Sequence, residues 1–389
     1  MKQDNFRSWL TQGIILLPYL YLFPFIALAN NSDKKMVVLS IVSIVAILIH
    51  SKFQYLKENI KNPIFITVTL MCIYVLGKYI FMSSSPSMLR VLLSVTLLMS
   101  IFPNQLISQN RLIWLSFISS LLLFINSSYH TFYLEHIRYT GDLNAIPYAT
   151  ICAVMAVIGF FFALKTAKII PAITFLLATF CVVLSQTRGI WLALLCAMII
   201  IIAYSIKNNK HWMRIGVTII LATVSISYMM KDTISQRIEQ TRVEIERIES
   251  GDLASSIGLR LQMWQAATEI AKVNPWFGVG SDHKNILIAL VEEGKLQESI
   301  GEFHPDHYHN QFFENLAKMG IIGLILTILL MLTPIIYAIK KNVANRELII
   351  SLSVLFFIAC LTDVPFWYAE TSLLYFLLII PLCNKDFEL

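Results

Sequence analysis

The sequence predicts an all-α polytopic membrane protein of about twelve transmembrane helices with one large, helical, outward-facing loop. Three observations carry that expectation. Hydrophobic residues make up 57% of the 389 residues and charged residues 14%, with a mean hydropathy of +0.69, outside the range of soluble domains. Apolar stretches near the ~20 residues that cross a bilayer core recur along the chain. Lysine and arginine are divided unevenly between alternate connections.

Taken in order, Met1-Lys2-Gln3-Asp4-Asn5-Phe6-Arg7 is a short charged cap before a long apolar stretch with no small-residue cleavage site. It reads as the lead into a retained first span, not a removed signal peptide. Spans are expected near 13–30, 36–50, 63–82, 87–103, 112–128, 145–164, 169–186, 189–206, 212–230, 316–339, 347–361 and 366–382, the second and eleventh being short. With the N-terminus inside, fifteen lysines and arginines, among them Lys57, Arg111, Lys165, Lys340 and Lys385, fall on the cytoplasmic side. Only Lys34, Lys35, Arg138 and Arg188 fall in the opposite short connections. Both termini are then cytoplasmic, and three regions follow: spans one to nine in 1–230, a periplasmic loop domain in 231–308, and the last three spans in 309–389. The net charge of +6 sits in short connections and reports topology, not nucleic-acid binding. All six cysteines lie in or at the ends of apolar spans, so neither a disulfide framework nor a CxxC metal site is expected.

The loop from Lys231 to His307 is far longer than a simple connection, and such loops are usually functional. Ile234, Ile238, Ile245 and Ile248 recur at helical spacing among charged residues, predicting an amphipathic helix that Gly251 could end. A second helix is expected from about Gly258, carrying Arg260 and Trp264 and stopping at Asn274-Pro275. Gly278-Val279-Gly280 should turn. No internal repeat, low-complexity tract or separate soluble domain is visible.

The loop closes on His307-Tyr308-His309-Asn310-Gln311, where polar sequence meets bilayer. An imidazole that titrates near neutrality can take a proton from a sugar hydroxyl; His309 can equally be an anchor at a helix head. The spacing of His304, His307 and His309 fits no common zinc pattern, so no metal is expected. Arg188 lies in a short outward connection, where an arginine beside lipid usually pairs or faces a polar cavity. Arg260 lies on a loop helix and could simply be solvated. Two converging guanidinium groups would clamp a pyrophosphate. Lys78 and Arg90 flank Ser83-Ser84-Ser85-Pro86 and either add to that field or reach toward outer headgroups. Asp363, in the last outward turn, either orients His309, pairs an arginine, or serves as an ordinary turn residue. No Walker A loop, GxGxxG, GxSxG or outward Asp-x-Asp pair is present, which favours a donor without a nucleotide.

At these residues the chain resembles the O-antigen ligase family, within the O-antigen ligase/polymerase superfamily of membrane glycosyltransferases. Ser185-Gln186-Thr187-Arg188-Gly189-Ile190-Trp191-Leu192 is similar to its Arg-x-x-x-Leu element. Gly258 to Trp264, followed by Asn274 to Gly280, resembles its loop-helix arginine segment. His309 through Gly320 fits its His-ten-residues-Gly element, and Asp363 matches an aspartate before the last span. The resemblance implies a GT-C-like fold. It also implies metal-independent, nucleotide-independent, inverting transfer of a polysaccharide from an undecaprenyl-pyrophosphate-linked donor to a lipid A-core sugar, at the periplasmic face of a bacterial inner membrane. His309 would be the base, with Arg188 and Arg260 on the departing pyrophosphate and no cofactor. O-antigen polymerases and protein O-oligosaccharyltransferases share much of the pattern. A flippase for lipid-linked glycans is the non-enzymatic alternative; it should spread charges through the bundle, whereas here the polar groups gather at one face.

Overall fold

The computed structural model of the chain describes residues 2–82, 84–136, 143–205, 231–296, 298–343 and 345–384, with 2–8, 205 and 233 described by backbone only. Seventeen α-helices, a 3₁₀ turn at each of two connections and one π-helical turn make up the regular structure of those residues. The N-terminal half holds α1 (Lys2–Ile15), α2 (Leu17–Phe25), α3 (Ser32–Ser51), α4 (Leu56–Asn59), α5 (Pro63–Phe81), α6 (Pro86–Ile101), α7 (Gln109–Ser128), α8 (Ala145–Thr166), α9 (Ile169–Leu184) and α10 (Arg188–Ser205). Helices α3, α5, α8 and α7 with its extension to Tyr133 are long and apolar enough to cross a membrane, while α6, α9 and α10 are shorter apolar helices. The span expected at 212–230 lies outside the described residues.

Local sequence explains the boundaries. Proline opens α5 and α6, where a missing N–H costs nothing, and the side chains of Asn62 and Ser85 cap those helices. The expected first span is two helices, interrupted at Leu16 just ahead of Pro18, which lacks the N–H to continue the helical bonding. Helix α8 is apolar on every face, and its residues from Pro147 to Leu164 are all buried. A helix of that kind belongs at the centre; α8 packs against α7, α9, α10 and two of the C-terminal helices.

The loop folds into α11 (Lys231–Glu249), α12 (Ser256–Ala271), α13 (His283–Glu292) and α14 (Glu298–Phe303). The first two are the expected helices, α11 ending just before Gly251 at φ 88°. The loop buries an apolar cluster of its own, in which Met263, Ile270, Leu287, Ile300 and Tyr308 meet Ala317 of the following helix. That helix, α15 (Gln311–Lys341), is followed by α16 (Arg346–Thr362) and α17 (Ala369–Leu382).

The loop is fastened to the membrane helices at a break in α15. Gly320 leaves helical geometry at φ 63°, ψ −170°, a conformation essentially reserved for glycine. The segment 275–279 lies in the gap and replaces the lost helical bonds. The Ile321 N–H donates to the Pro275 carbonyl (2.8 Å), and the Val279 N–H to that of Ala317 (2.9 Å). Contact is so close that a Cβ on Gly320 would stand 2.4 Å from the Trp276 carbonyl. From α5, Tyr74 Oη donates to the Met319 carbonyl (2.5 Å) and Lys78 Nζ to that of Phe277 (2.7 Å).

Candidate active site

The segment 307–311 is held by its backbone and polar neighbours, which aims its two histidines. Tyr308 is fully buried; its N–H donates to Glu314 Oε2 (2.9 Å) and its carbonyl accepts from Trp264 Nε1 (3.1 Å). Asn310 caps α15, accepting from the Phe312 N–H (3.0 Å), and its Nδ2 donates to the Leu361 carbonyl (3.2 Å). Gln311 Oε1 accepts from the Phe366 N–H (2.9 Å). Both residues thus tie the head of α15 to the turn that holds Asp363. With Tyr308 turned inward, His307 and His309 share one side, their ring centroids 4.3 Å apart.

Both rings face one carboxylate. His309 Nδ1 lies 3.0 Å and His307 Nε2 3.4 Å from Oδ1 of Asp363, which is 2% exposed. Burial opposes ionisation of Asp363, but the hydrogen bonds from His307 and His309 outweigh it and hold the carboxyl below the ordinary carboxylate range. An ionised carboxylate only accepts, so His309 presents Nδ1–H to it and leaves Nε2 as the basic nitrogen. Sequence spacing weighed His304 with the other two histidines. The structure instead joins His307 and His309 to Asp363 from another helix, with all three donor atoms within 4.8 Å of one another. His307 therefore belongs to the cluster, a place that its spacing in the sequence did not assign to it.

Arg188 and Arg260 line one small cavity of about 100 Å³ together with Arg237 and Glu244. Arg260 also lines the adjoining cavity of about 420 Å³ that contains His309 and Asp363. Arg188 opens α10, and Gly189 lets that end approach α16: a Cβ there would stand 2.6 Å from the Thr362 side chain, one residue before Asp363. Arg188 donates to Thr241 and pairs with Glu244 Oε1 (3.2 Å), whose Oε2 accepts from the Ile257 N–H (3.2 Å) at the start of α12. Burial lowers the Arg260 pKa; the charge of Asp363 opposes this and that of Arg188 adds to it. Arg237 is the arginine that sequence reading left on the amphipathic helix. Arg237, Thr241 and Glu244 lie four and three residues apart, hence on one helical face, and that spacing was the available signal. The Nε of Arg237 is buried without a hydrogen-bond partner among the described residues.

Two of the sequence candidates lie elsewhere. Lys78, 3% exposed, spends its ammonium on the carbonyls of Phe277 and Gly278 and is a fastening of the loop. Arg90 pairs with Asp33 at 2.6 Å, at the head of α3. Neither lines the cavities of the arginines and histidines, because each has a nearer partner, loop carbonyls for Lys78 and a carboxylate on α3 for Arg90.

The sequence around this site is similar to that of known proteins. Residues 173–328 match the family model described as O-antigen ligase. The chain is 26% identical over 189 residues to an "O-antigen ligase" of Escherichia coli (strain K12), covering 47% of this chain and 44% of that one. It is 28% identical over 208 residues to an uncharacterized protein of Haemophilus influenzae, covering 52% of each. A shorter stretch of 89 residues is 34% identical to the "Exopolysaccharide production protein ExoQ" of Rhizobium meliloti (strain 1021), 22% of this chain and 20% of that one. The chain thus spans about half the length, or less, of the curated relatives it matches. The resemblance to the O-antigen ligase family accordingly extends over residues 173–328, the stretch that carries Arg188, Arg260 and His309.

Proposed function

We propose that this protein is an O-antigen ligase. It would transfer a polysaccharide from undecaprenyl pyrophosphate to a lipid A-core sugar at the periplasmic face of the inner membrane, with the loop outside and both termini in the cytoplasm. The observation that carries this reading is the His309–Asp363 pair in a cavity that Arg260 shares with the arginine cluster. In the reaction the acceptor hydroxyl loses its proton to His309 Nε2 as its oxygen attacks the anomeric carbon. The bond from that carbon to the pyrophosphate oxygen breaks on the opposite face, inverting the centre, and the electron pair leaves with the pyrophosphate. Asp363 fixes the His309 tautomer and balances the imidazolium that forms. Arg188, Arg237 and Arg260 stabilise the charge that grows on the leaving group. No step requires a metal, nucleotide or cofactor.

A second reading, a polysaccharide polymerase, uses the same donor with another lipid-linked glycan as acceptor; similarity to the exopolysaccharide production protein favours it. Both are tested by placing the purified protein in liposomes without ATP or divalent metal and supplying the lipid-linked glycan. Glycan appearing on lipid A-core supports the ligase, and lengthening of the lipid-linked glycan supports the polymerase. Transfer to neither, with the glycan moved across the bilayer, would make the protein a flippase.

A further inference from the structure

Past His307, on the side away from the arginines, lies a second cavity of about 480 Å³ that the transfer chemistry above leaves unused. Its size falls in the range of small-molecule sites. Its walls include Ser84 ahead of α6, Asn144 ahead of α8, His283 at the head of α13, and Trp367 and Tyr368 ahead of α17. Asn144 lines this cavity and also the one holding His309 and Asp363, and His307 lines this one while touching the same carboxylate. The two cavities therefore adjoin at the proposed base.

Their electrostatics differ. Three guanidinium groups face one glutamate on the arginine side. In the second cavity each lysine has its own carboxylate: Lys284 pairs with Asp306, and Lys318 pairs with Glu314 at 2.7 Å while lying 4.2 Å from the Trp367 ring centroid. Burial, with Lys318 and Lys284 nearby, pushes the His283 pKa down to about 3, so that ring is neutral. The cavity thus offers hydroxyl, amide, neutral imidazole and phenol groups beside an indole, with no uncompensated charge. Such walls suit the hydroxyls and apolar C–H faces of a sugar ring and give a phosphate little to bind.

We propose that this cavity is the acceptor subsite, holding the sugar whose hydroxyl reaches His309 while the arginine cavity holds the donor pyrophosphate. The assignment rests on the transfer reading. Its test uses the full-length protein in liposomes with Ser84→Trp, which fills the cavity from a connection outside the helices, and Trp367→Ala. Lipid A carrying core sugars without polysaccharide is the varied acceptor. The acceptor KM should rise about tenfold or more in both variants while the Kd for lipid-linked glycan stays unchanged, the signature of lost acceptor binding. Wild-type KM values in both variants, or a weakened donor Kd, would overturn the assignment, the latter giving the cavity to the donor glycan. Core oligosaccharide freed of lipid reads the cavity without turnover. Calorimetric binding that Ser84→Trp abolishes supports the subsite, and equal binding refutes it. A wild type that binds this oligosaccharide yet transfers nothing would instead bring down the transfer reading alone.

Discussion

Alanine at Gly320 should detach the loop from the membrane helices while leaving every proposed chemical group in place. At φ 63°, ψ −170° a side chain costs about 1–3 kcal/mol in backbone strain. The new Cβ would meet the carbonyl carbon and oxygen of Trp276 at 2.4 Å, and backbone at that distance has to move. Displacing it breaks the bonds from the Ile321 N–H to Pro275 and from the Val279 N–H to Ala317, each contributing about 0.5–1.5 kcal/mol. The docked arrangement should therefore weaken by about 2–6 kcal/mol in all, roughly 30- to 10⁴-fold in the docking equilibrium. Hydrogen exchange of the reconstituted protein should rise at Val279 and Ile321 while the buried helix α8 stays protected, and glycan transfer should fall with it. Wild-type exchange at those two amides together with full transfer would refute this account of the motif glycine.

Lysine at Arg188 or Arg260 keeps the charge but loses the two-pronged donor. Each should weaken binding of the lipid-linked donor, or its transfer, about 10- to 100-fold, and Arg237→Gln should do the same; unchanged donor binding in all three would remove the clamp. Lys78→Met should lower thermal stability by about 1–3 kcal/mol by leaving buried carbonyls without a donor, with the donor Kd unaltered; a selective loss of donor affinity would return Lys78 to the binding site. His283 has a pKa of about 3 in the folded loop against ~6.5 in an unfolded chain. Its neutral state therefore supports the loop fully above pH ~6.5, and that support is lost as the pH falls toward 3. His283→Gln should flatten the acid limb of a stability profile, and an unchanged limb would show that other groups control it.

The apolar helices, the long loop and its first two helices could all be read from the chain, because hydropathy and helical periodicity are local properties. Arg188, Arg260, His309 and Asp363 could also be singled out, each being a charged or titratable group where lipid or a turn makes it conspicuous. What escaped depends on contacts between distant segments. His307 had no assigned role until the turn at Asp363, 56 residues from it and 54 from His309, stood beside both histidines. Arg237 was hidden among the charges of an amphipathic helix, and only the approach of α10 turns its face into part of a site. Lys78 and Arg90 misled for the same reason in reverse. Their partners, the Phe277 carbonyl in the loop and Asp33 on α3, come from distant segments, and nothing near either residue in sequence announces them. The glycine of the His-ten-residues-Gly element owes its place to backbone docking, which residue type alone does not disclose.

The central claim is that His309, oriented by Asp363, is a general base and not a metal ligand. It is tested most directly by single-turnover transfer in liposomes containing excess EDTA, with donor binding measured in parallel, for wild type, His309→Ala and His307→Ala. Wild type should transfer at its full rate under EDTA. His309→Ala should bind lipid-linked glycan normally and transfer ~10²–10⁴-fold more slowly, while His307→Ala, which removes the longer contact to Asp363, should lose less. The claim is contradicted if EDTA abolishes wild-type transfer and zinc restores it, with both histidine variants equally inactive, for the His307–His309–Asp363 cluster would then be a metal centre.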